Sequence, residues 1–162
     1  MKEIQLTQGK VSFVDDEDYE YLNQFRWSAM KSRNGDTWYA KRNIKKGDPK
    51  NCFQIHKMLM FDGQNQLRVD HIDGNGLNNQ RHNLRLCTVS QNGMNQHKQI
   101  GKHTSQYKGV HLFKRINKYQ AQISTGGKRY HLGYFINEID AAEAYDLKAK
   151  ELFGEFARFN IV

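Results

Sequence analysis

A chain of 162 residues with 25 Lys and Arg against 17 Asp and Glu carries a formal net charge of +8 and is long enough for one domain or two small ones. Hydrophobic residues are few at 38%, but 12% aromatics allow small cores, each marginal by itself. No apolar run reaches the roughly 18 residues of a membrane span, the amino-terminal MKEIQLTQGK lacks a signal peptide's apolar stretch, and Cys52 and Cys87 form no CxxC pair, so a disulfide framework and a zinc ribbon are excluded and a reduced, intracellular protein is expected.

In chain order, KVSFV reads as a short strand, and DDEDYEYLNQF as a short helix whose acidic first turn suits the helix dipole. FRWSAMKS and TWYAKRNI flank RNGD, where Asn34-Gly35 favours a tight turn with positive φ, so a hairpin is expected. Phe25, Trp27, Trp38 and Tyr39 are read as core and cross-strand pairs rather than as a base-stacking platform. KKGDPK is a loop with the single proline, Pro49. Residues 1–50 thus form a small α+β region with no function of their own to assign.

The next segment, 51–97, reads as a short apolar helix (QIHKMLMF), a strand (LRVDHI), a polar loop (DGNGLNNQRH), a second strand (NLRLCTV) and a helix beginning at SQNGMNQHK with Ser90 as its cap. Asp70 and His71 close the first strand, and Asn92 falls in the first turn of the last helix. If these elements fold back on one another, Asp70 and Asn92 converge. A carboxylate and an amide oxygen make a hard, incomplete ligand set, which Mg²⁺ and similar ions complete with water and substrate phosphate. His71, whose ordinary pKa lies near neutrality, is then a base for water, and Asn83 ties the polar loop down by bonding backbone groups. An ion beside a base is what phosphodiester hydrolysis requires. The plainer reading is that DGNG and Asn78-Asn79 are turn formers and nothing more.

Residues 55–92, "IHKMLMF…VDHIDGNGLNNQRHNLRLCTVSQN", resemble the HNH endonuclease motif in the version found in phage and intron-encoded homing endonucleases. Asp-His, the HIDGN-like loop with Asn-Asn, Asn-Leu-Arg and a later Asn all occur in order. The resemblance implies a ββα unit cupping one divalent ion, Mg²⁺ first and Mn²⁺ second. It implies Asp70 and Asn92 as metal ligands, His71 as general base and Asn83 as the residue orienting the loop that carries His71. It further implies DNA cleavage leaving a 5′-phosphate and a 3′-hydroxyl. One departure stands out: where many HNH proteins place a His one turn after the metal Asn, this chain has Gln96, with His97 one residue on and rotated about 100° on a helix. His56 in IHKML is read as structural or as a phosphate contact, and His82 and His103 as surface residues.

After a basic linker, 98–104, residues 105–162 read as three short strands (YKGVHLFK, YQAQIST, KRYHLGYF) and a helix, NEIDAAEAYDLKAKELF, capped by Asn137 and followed by Gly154. Ile139, Ala142, Tyr145, Ala149 and Leu152 form its apolar stripe. YxGV, the central QI strand, HLGYF, AAxAYD and the ending GEFARFN resemble the plant ethylene-response-factor DNA-binding domain of the Apetala-two type. Alternation points Val110, Leu112, Tyr119, Ala121, Ile123, Tyr130 and Leu132 toward the helix, and His111, Phe113, Gln122, Ser124, Arg129 and His131 outward. A polar sheet face of this kind can enter the major groove, with Lys108, Lys114, Arg115, Lys118 and Lys128 holding phosphates beside it. The plant domain has Arg and Trp residues on this face where His111, Phe113, Ser124 and His131 stand here, so its target sequence does not carry over.

Charge is uneven along the chain. No Asp or Glu occurs between Asp73 and Glu138, while the intervening 64 residues hold ten Lys and Arg. Such a run repels itself and calls for a polyanion, which makes duplex DNA the expected partner. The expectation is an α+β protein: an HNH nuclease centre, preceded by the small N-terminal region, joined to a three-stranded antiparallel sheet on one helix that selects the site. It is expected to act as a monomer with no membrane and no obligate protein partner, nicking or cutting both strands. The competing readings are a non-catalytic DNA-binding regulator and an RNA-binding module.

Overall fold

The computed structural model describes residues 1–32, 37–43, 52–60, 67–98 and 101–161. The expected Asn34-Gly35 turn and the KKGDPK loop lie outside these. The chain divides into two compact units, Met1–Asn92 and Gly93–Val162, and the N-terminal region shares the first with most of the motif segment.

The first unit opens with a hairpin absent from the sequence expectation in its first half: β1 (Lys2–Gln5) pairs antiparallel with β2 (Val11–Val14). Alternation of KEIQL was too short and too charged to mark β1. Helix α1 (Asp16–Leu22) follows, with Asp16, Glu17 and Asp18 in its first turn. Strands β3 (Ser28–Lys31), β4 (Trp38–Asn43) and β5 (Cys52–Gln54) form an antiparallel sheet in that order, and α2 (Ile55–Leu59) runs on directly from β5. Ile4, Leu6, Val14, Leu22, Trp27, Ala29, Ala40 and Ile55 make one core, with Phe25 and Trp38 packed on it. Leu22 and Ile55 are wholly buried, each contributing roughly 2 kcal/mol. The Trp27 indole donates to Leu22 O at 2.8 Å, so the core's largest side chain leaves no polar atom unpaired.

Then come β6 (Arg68–His71) and β7 (Leu84–Cys87), an antiparallel pair, and α3 (Val89–Asn95). The cap of α3 is Thr88 and not Ser90: Gln91 N–H donates to Thr88 Oγ1 at 3.2 Å, and Thr88 N–H donates to Gln91 Oε1 at 2.8 Å. This is a reciprocal capping box, two residues earlier than the Ser signal suggested.

In the second unit β8 (Val110–Phe113), β9 (Lys118–Thr125) and β10 (Lys128–Phe135) form an antiparallel meander. Helix α4 (Glu138–Phe153) packs on one face through Ala141, Ala142, Tyr145, Ala149 and Phe153. Asn137 Oδ1 accepts from Ile139 N–H at 3.0 Å, which caps the helix. Ile139, expected on the buried stripe, is exposed, and the stripe starts two residues later, at Ala141. Gly109 of YKGV has φ +76, and a side chain there would run into the Tyr145 ring, so the motif's glycine is a close-approach residue. The GEFARFN tail is tied down as well. Asn160 exchanges bonds with the Lys108 backbone at 2.6 and 3.1 Å, and Asp146 of AAEAYD accepts the Asn160 and Ile161 N–H groups at 2.9 Å.

Candidate active site

The β6–β7 register sets Asp70 opposite Arg85 and His71 opposite Leu84. Directly opposed residues share a face, so Asp70 meets Arg85. Arg85 Nε and Nη2 both donate to Asp70 Oδ2, at 3.1 and 2.9 Å. The pair is withdrawn from water, with side-chain exposures of 12% and 8%. Interaction with a guanidinium that is itself held on a strand fixes the carboxylate's orientation.

His71 is buried at 5% exposure. Its Nε2 lies 3.1 Å from Asn79 Oδ1. His56 stands edge-on to it at 4.8 Å between ring centroids, and Tyr39 lies 6.0 Å away. Burial pushes the His71 imidazole below its ordinary range, while Asn79, Asp73 and Asp70 pull the other way. Burial, then the neighbouring His71 and Lys57, push His56 down to about 3. Its Nδ1 is buried without a hydrogen-bond partner among the described residues. Burial, with the charge of Asp70 behind it, raises the Tyr39 phenol. Tyr39, read from sequence as core, therefore belongs to this cluster. The missed signal is Gly76: a side chain there would collide with Trp38 and the Tyr39 ring, so the motif loop lies against β4.

The loop between β6 and β7 is held by its own amides. Asn83 Oδ1 accepts Asp73 N–H at 3.0 Å, and Asn83 Nδ2 donates to Asp73 Oδ1 at 3.0 Å and Asn78 O at 2.8 Å. Asp73 also accepts Asn75 N–H at 2.7 Å and Asn78 Nδ2 at 2.8 Å. The side chain beside the His71 ring is thus Asn79, with Asn83 acting on the loop backbone. The N-terminal region grips the loop from outside. β2 pairs with it through Phe13 N–H to Leu77 O at 2.9 Å and Asn79 N–H to Phe13 O at 2.8 Å. Arg81 forks onto Asp18 at 2.9 and 2.7 Å, and its N–H donates to Asp15 Oδ2 at 2.7 Å. Residues 1–22, to which sequence reasoning assigned no role, form the wall of the motif loop.

The segment that carries this site also matches known proteins in sequence. A family model described as HNH endonuclease matches residues 58–94. An uncharacterized HNH endonuclease of Acanthamoeba polyphaga mimivirus is 32% identical over 157 residues, covering 94% of this chain and 75% of that protein. The chain belongs to the HNH endonuclease family. Protein 3.8 of Escherichia phage T7 is 33% identical over 92 residues, covering 56% of this chain and 74% of that protein. No solved structure matches. Nuclease activity on DNA follows from family membership.

HNH nucleases generally use a divalent metal ion. Asn92 lies half-buried in α3, its N–H on Thr88 O at 3.0 Å. Asp70 and Asn92 offer one carboxylate and one amide oxygen, and no group of three or more His, Cys, Asp or Glu among the described residues could hold a metal. A sparse oxygen set fits a hard cation that keeps most of its own water. It does not fit a closed nitrogen or sulfur site. Gln96 and His97 lie past the end of α3, so His97 is not rotated on a helix as expected; it is an exposed residue beyond Asn95.

In the second unit the face of the sheet away from α4 carries His111, Phe113, Lys118, Gln122, Ser124, Arg129 and His131, all exposed or half-buried. It also carries Tyr134, which sequence alternation would place inside. The register shifts between His131 and Gly133, setting Tyr134 opposite Gln120 on the outer face, at 4.7 Å from His131 and 5.3 Å from Phe113 between ring centroids. Gly133 within HLGYF is the signal for this bulge. Lys114, Arg115 and Lys128 are exposed. Lys108 differs from its expected place as a phosphate contact. Its Nζ donates to Met94 O and Gln96 O, each at 2.7 Å, and burial, then Arg158, lowers it to about 8.

Proposed function

We propose that this HNH endonuclease is a divalent-metal-dependent, site-selective endodeoxyribonuclease of the homing type that hydrolyses a phosphodiester to a 5′-phosphate and a 3′-hydroxyl. One observation carries the reading: a buried imidazole, His71, follows a buried carboxylate, Asp70, in the strand, and each is pinned by its own partner, Asn79 and Arg85. Burial keeps His71 neutral at physiological pH, as a proton acceptor must be. His71 takes a proton from water as the water oxygen bonds to phosphorus; the bond from phosphorus to the 3′-oxygen breaks, and that oxygen is protonated from solvent. Asp70 and Asn92 would hold the ion, for which Mg²⁺ is the first choice and Mn²⁺ the second. When bound, the ion would offset charge on the phosphate and on the departing oxygen. Asn83 keeps the loop that carries His71 closed.

We assign site selection to the second unit, a three-stranded sheet on one helix that resembles the Apetala-two type domain in YKGV, HLGYF, AAEAYD and RFN. Its outer face would meet duplex DNA through Gln122, Arg129 and His131, with Lys114, Arg115, Lys118 and Lys128 on phosphates. Lys108 leaves that set because its ammonium is engaged with backbone carbonyls.

The test is supercoiled plasmid with Mg²⁺ or Mn²⁺, with and without chelator. Wild-type protein nicks or linearises DNA. His71→Ala loses about 10² to 10⁴ in rate while retaining DNA in a gel shift, and Asp70→Ala loses activity at any metal concentration used. Cutting that survives both substitutions sinks the assignment, and binding without cutting under every metal leaves a non-catalytic DNA-binding regulator.

A further inference from the structure

The hydrogen bonds behind His71 decide which of its nitrogens is the base. Ser12 Oγ lies 3.0 Å from Leu77 O. A carbonyl only accepts, so the hydroxyl gives its single proton there and retains only acceptor capacity. The Asn79 atom 2.8 Å from Ser12 Oγ must therefore be the amide nitrogen, Nδ2. That orients the amide and turns its oxygen, Oδ1, toward His71 Nε2 at 3.1 Å. An amide oxygen can only accept, so Nε2 carries the hydrogen. Ser12 and Asn79 are both 0% exposed. Flipping the amide would set its oxygen against Ser12 Oγ, whose single proton is already on Leu77 O, so two buried acceptors would face each other unpaired. The Asn79 backbone is fixed independently by its bond to Phe13 O.

We propose that Ser12 and Asn79 are positioning residues that hold His71 as the Nε2–H tautomer, so that the proton of the attacking water is delivered to Nδ1. This rests on the reading of His71 as the base. It gives the N-terminal hairpin a part in the chemistry. β2 carries Ser12, Ser12 orients Asn79, and Asn79 sets the tautomer of a ring that lies 59 positions further along the chain from Ser12. Nothing in the spacing of the motif itself assigns this to Ser12, because the residue lies outside it.

The experiment is a long-range ¹H–¹⁵N correlation spectrum of the full ¹⁵N-labelled chain at about pH 8, where a histidine of ordinary or lowered pKa is neutral, combined with single-turnover cleavage. In the wild-type protein His71 shows a protonated Nε2 and an unprotonated Nδ1. Ser12→Ala frees the amide to rotate, mixes the two tautomers and lowers kcat about tenfold with unchanged DNA affinity; a wrong tautomer at a catalytic histidine can cost up to about 10⁴. Asn79→Asp, which still accepts from Nε2, retains the wild-type tautomer, whereas Asn79→Ala does not. A wild-type spectrum showing Nδ1–H overturns the proposal even if every buried variant misfolds. So does a folded Ser12→Ala protein with wild-type tautomer and rate. If the wild-type chain cuts no DNA with any divalent ion, the nuclease reading falls, and an Nε2–H spectrum obtained at the same time shows that the relay itself was read correctly.

Discussion

Both units bury an apolar core, but they differ in the polar groups buried with it. In residues 1–92 the buried set includes Ser12, Asp18, His56, Asp70, His71, Asn79 and Asn83; Ser12, Asn79 and His71 are bonded in a row, while Asp18, Asp70 and Asn83 are held by Arg81, Arg85 and the motif loop. In residues 93–162 it is almost wholly apolar, with Ala121, Ala141, Ala142 and Ala149 beside Val110, Ile123, Tyr145 and Phe153, and among the described residues only Asn95 and Ser105 are buried and polar. The polar chemistry of the second unit is spread instead over the outer face of its sheet. The contrast follows from what each job needs. Moving a proton requires groups held in one geometry away from water, where electrostatics are strong and orientation costs nothing at the moment of reaction. Reading DNA requires donors and acceptors that stay wet until a groove replaces the water. A flat, alanine-lined helix–sheet contact suffices to hold such a face up.

The sharpest way to break this comparison is to remove one charge from each unit. Arg85→Leu strands the Asp70 carboxylate in a site where both side chains are nearly closed to water, and should cost about 3 to 5 kcal/mol. Lys148→Ala removes a partner of Glu151 at 2.7 Å, but Glu151 is 64% exposed, so the loss should stay within about 0.5 kcal/mol. Urea titration of the two variants checks the pair. Mg²⁺ should restore part of the Arg85→Leu loss, because a cation bound to the folded state stabilises it. Equal losses would mean that the first unit's network is no more than a solvated surface.

How far each unit could be read in sequence follows the same division. Strands β8 to β10, α4 and the Asn137 cap are local, and alternation and spacing are local signals, so that unit was legible down to which side chains face out. Its departures are Tyr134, turned outward by a single bulge at Gly133, Ile139, exposed at the head of the helix, and Lys108, whose ammonium is engaged with backbone carbonyls. In the first unit Asp70, His71, Asn83 and Asn92 stood out because the motif is contiguous. Ser12, Asp15, Asp18, Tyr39 and Arg85 did not, because their roles come from contacts across tens of residues, as in Ser12 to Asn79 and Asp18 to Arg81. A serine in VSFV carries no mark of the amide it will meet. Asn79 was visible only as half of a turn-forming pair; the structure shows it as a buried amide whose two ends are both in use.

A smaller effect sharpens the comparison through pH. His56 is buried, faces the rings of His71 and Tyr39, and feels Lys57 and His71 as like charges. Its pKa falls from 6.5 unfolded to about 3 folded. Between those values the unfolded chain binds the extra proton, so stability is intact above about pH 6.5 and falls by about 1.4 kcal/mol for each unit below it. His71, lowered in the same direction, adds to the trend. His56→Phe also removes a buried Nδ1 that has no partner among the described residues. It should match the wild type within about 1 kcal/mol at neutral pH and exceed it by about 2 kcal/mol at pH 5. Urea midpoints measured at both pH values decide it; a variant that is no better than wild type in acid shows that His56 is not the group that titrates.

The smallest effect separates two neighbours on β10. Arg129 pairs with Ser124 on the outer face, whereas Lys128 pairs with Thr125, has the opposite parity and sits beside the Gly126-Gly127 turn. A cation at the rim can meet a phosphate but not a base edge. Lys128→Ala should therefore weaken binding by less than about 1 kcal/mol, equally on every sequence, and lower the salt slope by about one. Arg129→Ala should cost about 1 to 3 kcal/mol on the preferred site and less elsewhere. Competition binding at several salt concentrations measures both, and the two slopes matter more than either affinity. If Lys128→Ala shifts site preference and Arg129→Ala does not, the alternation of β10 does not sort its side chains into readers and anchors, and the second unit's outer face is not the surface that selects DNA.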